Sequence, residues 1–304
     1  MKPGINKASR LSLEQGDALP LLLLSPTLLI VIVVLLIPFL YGLFISLFDY
    51  NIGAALTADR FIGFGNFIQM FKDKVVLKSI ANTIGFAVLA TAGDLVIGTI
   101  IAVLLSKLKT AISNILRAIC LMPLLVSPII VGLIWRYMYD PQSGLLYWFL
   151  SLFGIGTAQF PGLTSSSTAL ISVVIAHWWQ VTPFVILVVT AGLASIPQEQ
   201  YEAAHIDGAT GFKAFFKITL PQLSRIYMVI LVISGVDTIK VFDIIYALTQ
   251  GGPANSTISL SIYAYKNAFE MYRMGYAMSI AILTIIITFV MFGIPFLRMN
   301  KKEG

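Results

Sequence analysis

Six stretches of this chain are apolar over about 20 residues or more, the length that crosses a hydrocarbon layer, and more polar segments separate them. They run over Leu19–Leu47, Ile80–Leu105, Ile115–Tyr137, Thr168–Leu193, Leu223–Leu248 and Tyr276–Leu297. The pattern predicts an all-α polytopic membrane protein with six transmembrane helices, numbered here as spans one to six. The first stretch outlasts a perpendicular crossing, and Pro26 and Pro38 are placed to break or tilt it. Signal-peptide cores run to roughly 15 residues, so this stretch reads as a retained signal anchor.

One polar segment stands apart from the other connections. Ser195–Pro221, SIPQEQYEAAHIDGATGFKAFFKITLP, lies between spans four and five and carries its own helical pattern. Ser195 with Gln198 matches a capping box, and Pro197 suits a first helical turn. Gly208 is placed as a left-handed cap. A second short helix follows from Thr210, with Phe212, Phe215 and Phe216 on one side and Lys213 and Lys217 on the other. Pro221 is expected to open span five. A hairpin of this kind either lies on the membrane surface or docks on a partner.

Charge then sets the orientation. Lys2, Lys7, Arg10, Lys107, Lys109, Arg117, Lys213, Lys217, Arg225, Arg298, Lys301 and Lys302 flank one side of the spans. Arg60, Lys72, Lys74, Lys78, Arg136, Lys266 and Arg273 flank the other. Basic residues accumulate on the cytoplasmic side, so both termini and the Ser195–Pro221 segment are expected inside. Residues 1–18 then form a cytoplasmic tail, 19–299 the transmembrane domain with its loop at 195–221, and 300–304 a second tail.

Composition narrows the function classes. The chain is 58% hydrophobic and 11% charged, against about 25% charged in soluble domains, so little mass lies outside the membrane. There is no phosphate-binding loop of the G-x-x-x-x-G-K-[ST] type, no HExxH and no CxxC. GATGFK at Gly208–Lys213 has the wrong spacing for a phosphate loop. No basic cluster interleaved with aromatics points to nucleic acid. The single cysteine, Cys120, excludes an internal disulfide. Uphill transport would therefore draw on an ion gradient or on a separate motor.

The spacing of the polar segment decides between them. Glu202-Ala203-Ala204, then Gly208, then Ile218, Leu220 and Pro221 resembles the EAA loop of the membrane subunits of bacterial ABC importers. The run Phe242–Pro253, with Ser256-Thr257 and Tyr263–Phe269, is similar to carbohydrate-importer permeases of the maltose and glycerol-3-phosphate type. Leu24-Ser25-Pro26, Pro38, Ser46-Leu47-Phe48 and Asn82-Thr83 fit the same subfamily. The resemblance implies a five-part importer: two EAA-type permeases, two nucleotide-binding ATPase subunits and an extracytoplasmic substrate-binding protein, in membrane lipid. It implies that ATP and Mg are used by the ATPase partner, with no cofactor bound by this chain. It places the ATPase contact at Glu202, Ala203, Ala204, Gly208, Ile218, Leu220 and Pro221.

Polar residues inside spans are candidates for the substrate path. His177 and Gln180 share a face of span four beside Trp178, and together supply hydrogen bonds and an aromatic surface for a sugar. An interfacial tryptophan belt with a satisfied histidine is the plainer alternative. In span five Asp237, Lys240 and Asp243 are spaced as a charge ladder. Asp94 lies near the middle of span two, with Lys240 as a shared partner if its side chain bends inward. In an ion-coupled secondary transporter these four would form the relay. Gly251-Gly252-Pro253 is placed to shape an outer gate or a contact for the binding protein.

Overall fold

The computed structural model describes residues 15–295, with side chains from Leu23 onward. The first 14 residues of the expected N-terminal tail, the last residues of span six and the C-terminal tail at 300–304 lie outside that range. Among the described residues the fold is all-α, with one antiparallel bridge between Phe48 and Phe61.

Among the described residues four helices are long and apolar enough to span: α1 (Leu23–Ile45), α3 (Lys74–Ser106), α7 (Ala169–Ala194) and α13 (Met274–Gly293). A short helix, α2 (Gly65–Lys72), precedes α3, whose first turn is capped by Asp73 through Val75 N–H at 2.8 Å. The two remaining expected spans are broken. In place of a straight helix at Ile115–Tyr137 stand α4 (Thr110–Leu125) and α5 (Pro128–Met138), meeting at 99°. Part of the cause is local: Pro128 disfavours the helical region for Ser127 ahead of it, which has ψ 139°, and Val126 is also extended, with ψ 131°. In place of Leu223–Leu248 stand α10 (Ser224–Ile239) and α11 (Asp243–Thr249), interrupted at Lys240–Phe242. Between α7 and α10 lie α8 (Gln198–Ile206) and α9 (Phe212–Gln222), and α9 meets α10 at 65°. Helix α12 (Leu260–Tyr265) leads through a widened turn into α13.

Three prolines sit inside helices behind widened turns. Pro38, Pro221 and Pro295 each follow a π-type turn, at Val31–Leu36, Phe215–Thr219 and Phe289–Gly293. A proline ring clashes with the carbonyl four residues earlier, and in each case that residue lies inside the widened turn. Pro38 therefore leaves α1 as one continuous span. Pro221 closes α9, and the next membrane helix starts only at Ser224, a correction to the expected boundary.

The core is built where α3 and α7 lie against each other. Small residues allow the approach: a Cβ at Gly98 would fall 2.6 Å from Val185, and one at Gly93 only 2.1 Å from the Trp178 ring. Helix α5 packs on α11 in the same way, Gly132 against Ala247. By contrast α1 is exposed along almost its whole length. Its lower contacts are with α13, Gly42 lying against Met278.

Candidate functional site

The Ser195–Pro221 segment folds into the expected two-helix hairpin, by partly different means. Ser195 forms no capping box: its hydroxyl donates to the Gly192 carbonyl at 2.7 Å, and the extended Pro197, ψ 134°, is the residue that starts α8. The serine still lies within the last turn of α7, too early to cap α8. At the other end Gly208 adopts φ 74°. Gly208 N–H donates to His205 and Ala209 N–H to Ala204, at 3.0 and 2.8 Å, which is a Schellman closure. The two helices are clasped by a Tyr201–Thr219 hydroxyl pair at 2.9 Å and by the Gln222 amide donating to Gln200 at 3.0 Å.

Those clasps leave an outward face. Glu202 and Ala203 are exposed, and Ala204 and Ile218 are half-buried. Leu220 and Pro221 are exposed near the end of α9. Ile206 is 86% exposed and Phe212 84%, values unusual for such side chains in a segment this polar. Of the expected aromatic trio, Phe215 turns inward while Phe216 stays exposed, their rings edge-on at 5.2 Å. Behind α9 a cavity of about 680 Å³ separates the hairpin from the C-terminal end of α3, between Phe215, Tyr201 and Leu104.

The intramembrane candidates are brought together in a different set from the one expected. Asp94 is fully buried and bonded to His177 Nε2 at 3.2 Å and to the Thr182 hydroxyl at 3.0 Å, so it has no link to Lys240. His177 also stands edge-on to Phe86, ring centres 5.3 Å apart. Gln180 donates to the Val126 carbonyl at 2.9 Å, satisfying the backbone group freed at the break between α4 and α5. Trp178 donates to the carbonyls of Leu89 and Ala90 and lies over Gly93. These four side chains knit α7 to its neighbours.

The charge ladder of span five has one rung among the described residues. Lys240 Nζ and Asp237 Oδ1 are 3.1 Å apart, and their side chains are 57% and 70% exposed. Asp243 falls beyond the break, in the first turn of α11, where a carboxylate suits the helix dipole. The straight ladder fails because the helix ends at Ile239. The four-residue ion relay accordingly divides into two places.

On the opposite side, the turn Thr249–Thr257 is closed on itself and pinned to α3. Gln250, Ala254 and Asn255 join Gly251 in left-handed conformations, and the peptide before Pro253 is cis. Thr257 Oγ1 bonds Thr249 Oγ1 at 2.7 Å and the Gly252 carbonyl at 2.8 Å. Lys78 donates to Ala254, and Asn82 to Asn255 and Ile258, at 2.7 to 3.0 Å. Below it Asp73 accepts from the Tyr263 and Tyr276 hydroxyls at 2.7 and 2.9 Å. Burial alone would raise the Asp73 carboxyl, but the bonds from Tyr263, Val75 N–H and Tyr276 outweigh it and hold it below the usual range. Neither this hub nor the Gln180–Val126 tie was expected from sequence, since each joins residues whose separation depends on the fold.

A bundle of long apolar helices, no strand layer among the described residues and an exposed hairpin between late spans define a multi-pass membrane protein. The chain belongs to the family of binding-protein-dependent transport system inner membrane components, which matches residues 94–297. It is 33% identical to the trehalose/maltose transport system permease protein MalF of Thermococcus litoralis, over 97% of this chain and 98% of that one. It is 30% identical to the sulfoquinovosyl glycerol transport system permease protein SmoG of Agrobacterium fabrum, covering 89% and 87%. A bacterial ABC transporter involved in import of the acidic polysaccharide alginate has the same fold, with a TM-score of 0.80 at 23% identity, covering 95% of this chain and 96% of that one.

Proposed function

We propose that the chain is one of two EAA-type permeases of an ATP-driven importer for a sugar, oligosaccharide or related polyol, held in the bacterial cytoplasmic membrane. Each bent helix pair crosses once, giving six spans with both termini inside. Two ATPase subunits bind ATP and Mg beneath the permeases, and an extracytoplasmic binding protein delivers the substrate. The observation that carries this reading is the clasped hairpin with Glu202, Ala203, Ile206 and Phe212 turned outward. A rigid element with an exposed apolar rim and a carboxylate at Glu202 is suited to a basic-rimmed cleft, and can convert closure of the motor into rotation of the spans.

Two features extend the reading. Asp237 and Lys240 line the substrate path, while Asp94, His177, Trp178 and Gln180 hold the wall behind it. The pinned Gly251-Gly252-Pro253 turn forms the outer mouth and meets the binding protein. The maltose, trehalose and sulfoquinovosyl glycerol named for the relatives support the substrate class.

The test is reconstitution. In proteoliposomes holding the full importer, labelled maltose or trehalose should accumulate only with ATP on the motor side and binding protein on the other. The purified chain alone should hydrolyse no ATP. Accumulation driven by an ion gradient without ATP, or hydrolysis by the pure chain, would overturn the proposal.

A further inference from the structure

The cavity behind α9 has one wall that belongs to the exposed side of α3. Along that helix Leu89, Val96, Ile100 and Leu104 are all exposed, and their spacing places them on one apolar stripe. The foot of the stripe, Ile100 to Leu104, runs on into the cavity of about 680 Å³. Leu193 of α7 and Ala214 and Phe215 of α9 close its other sides. A hydrocarbon chain lying against α3 thus has an unbroken apolar route beneath the hairpin.

The hydroxyls of the walls are already bonded. Tyr201 pairs with Thr219 at 2.9 Å, Thr99 donates to Tyr227 at 3.2 Å, and Ser106 donates to the Val103 carbonyl at 2.8 Å. A polar ligand needs a few convergent free groups, whereas an acyl chain needs none. Charge enters only at the mouth, where Lys107 lines the cavity just beyond the end of α3 and, among the described residues, no acidic side chain lines it. The sequence holds no carboxylate between Asp94 and Asp140, the stretch that carries Lys107, Lys109 and Arg117. On the hairpin side Lys213, next to Ala214, adds another exposed ammonium.

We propose that this cavity holds an acyl chain of an anionic phospholipid from the inner leaflet, with the lipid phosphate bound by Lys107. Basic pockets between membrane helices on the cytoplasmic side suit such head groups, and burial of the chain adds an apolar contribution. The lipid fills the gap between α3 and the hairpin, and so stiffens the joint that carries α8 and α9. This rests on the cytoplasmic placement of the hairpin proposed above, and concerns membrane lipid rather than the transported substrate.

The test measures phospholipid retained by the complete importer, extracted from bilayers of phosphatidylglycerol and phosphatidylcholine, by mass spectrometry of the intact complex. Wild type should keep phosphatidylglycerol in preference to phosphatidylcholine. Lys107→Glu should lower the retained phosphatidylglycerol at least about fivefold, the worth of one lysine beside an anionic head group, and Lys107→Arg should retain it. Val103→Trp, which fills the cavity, should displace the lipid, whereas Val96→Trp, higher on the same stripe, should not. Wild-type retention by Lys107→Glu would overturn the site, as would equal retention of the two lipids or equal loss in the two tryptophan variants. If Val103→Trp fails to assemble, the three residues at position 107 decide the matter alone. The placement itself is read separately, by a membrane-impermeant maleimide on Lys107→Cys in a Cys120→Ser background. Labelling only after sealed cells are opened is expected. Labelling from outside would remove the cytoplasmic placement and the inner-leaflet source with it, while lipid retention depends on neither orientation nor transport.

Discussion

The turn at Thr249–Thr257 and the hairpin at Ser195–Pro221 are both polar interruptions of an oily chain, and they are finished in opposite ways. In the 249–257 turn the threonine hydroxyls and the carbonyls of Gly252, Ala254 and Asn255 are satisfied by Thr257, Lys78 and Asn82 of the same chain. The hairpin satisfies only its inner side, through Tyr201–Thr219 and Gln200–Gln222. Its outer side leaves Ile206 and Phe212 in the open. A chain that ties one loop down with its own side chains, and leaves apolar side chains out on the other, marks where a partner completes the surface.

Gly208 is the most direct place to break this contrast. Its φ of 74° disfavours most side chains by about 1–2 kcal/mol and β-branched ones above all, so Gly208→Val should unwind the end of α8 and abolish ATP-driven uptake in reconstituted importer. Ile206→Ser should spare the fold, since the side chain is already exposed. It should weaken motor binding by about ten- to a hundredfold, the worth of burying one such side chain, measured by titrating the motor subunit onto the permeases in lipid discs.

The outer turn should respond in the reverse sense. Asn82→Leu leaves the Asn255 and Ile258 carbonyls without their donor, at about 1–3 kcal/mol. Amide exchange across 249–257 should quicken while motor binding stays unchanged. Gln180→Leu should cost a similar amount by stranding the Val126 carbonyl, and is read as a lowered midpoint of thermal unfolding. The smallest effect concerns pH. Asp73 is held below the usual carboxylate range, so its contribution is full above its unfolded value and is lost as pH falls through the lowered folded one. Acid should loosen the Asp73–Tyr263–Tyr276 hub, and Asp73→Asn should remove that dependence, as seen by amide exchange near α2 and α12.

What sequence could convey divides along the same physical line. Runs of apolar residues and the EAA spacing are local properties, and they located the membrane segments and the hairpin. Gly208 was legible because a left-handed cap has a residue-type signature. The bends at Val126 and at Lys240–Phe242 were missed because hydropathy runs straight through them. Only Pro128 signalled the first, and the second is held by serines of α12 some 18 to 21 residues away. His177 and Gln180 were recognised as polar residues on one face of a helix. Their partners, Asp94 and the Val126 carbonyl, are 83 and 54 residues distant, a relation no periodicity reports.

The central claim is that the exposed face of the hairpin is the seat of the motor. It is tested most directly by the affinity of the purified ATPase subunit for the permease pair in lipid discs, with Glu202→Lys compared with wild type and with Asn82→Leu. The account predicts at least about tenfold weaker binding for Glu202→Lys, through loss of a charge-assisted contact, and wild-type binding for Asn82→Leu. Equal affinity for all three would contradict it.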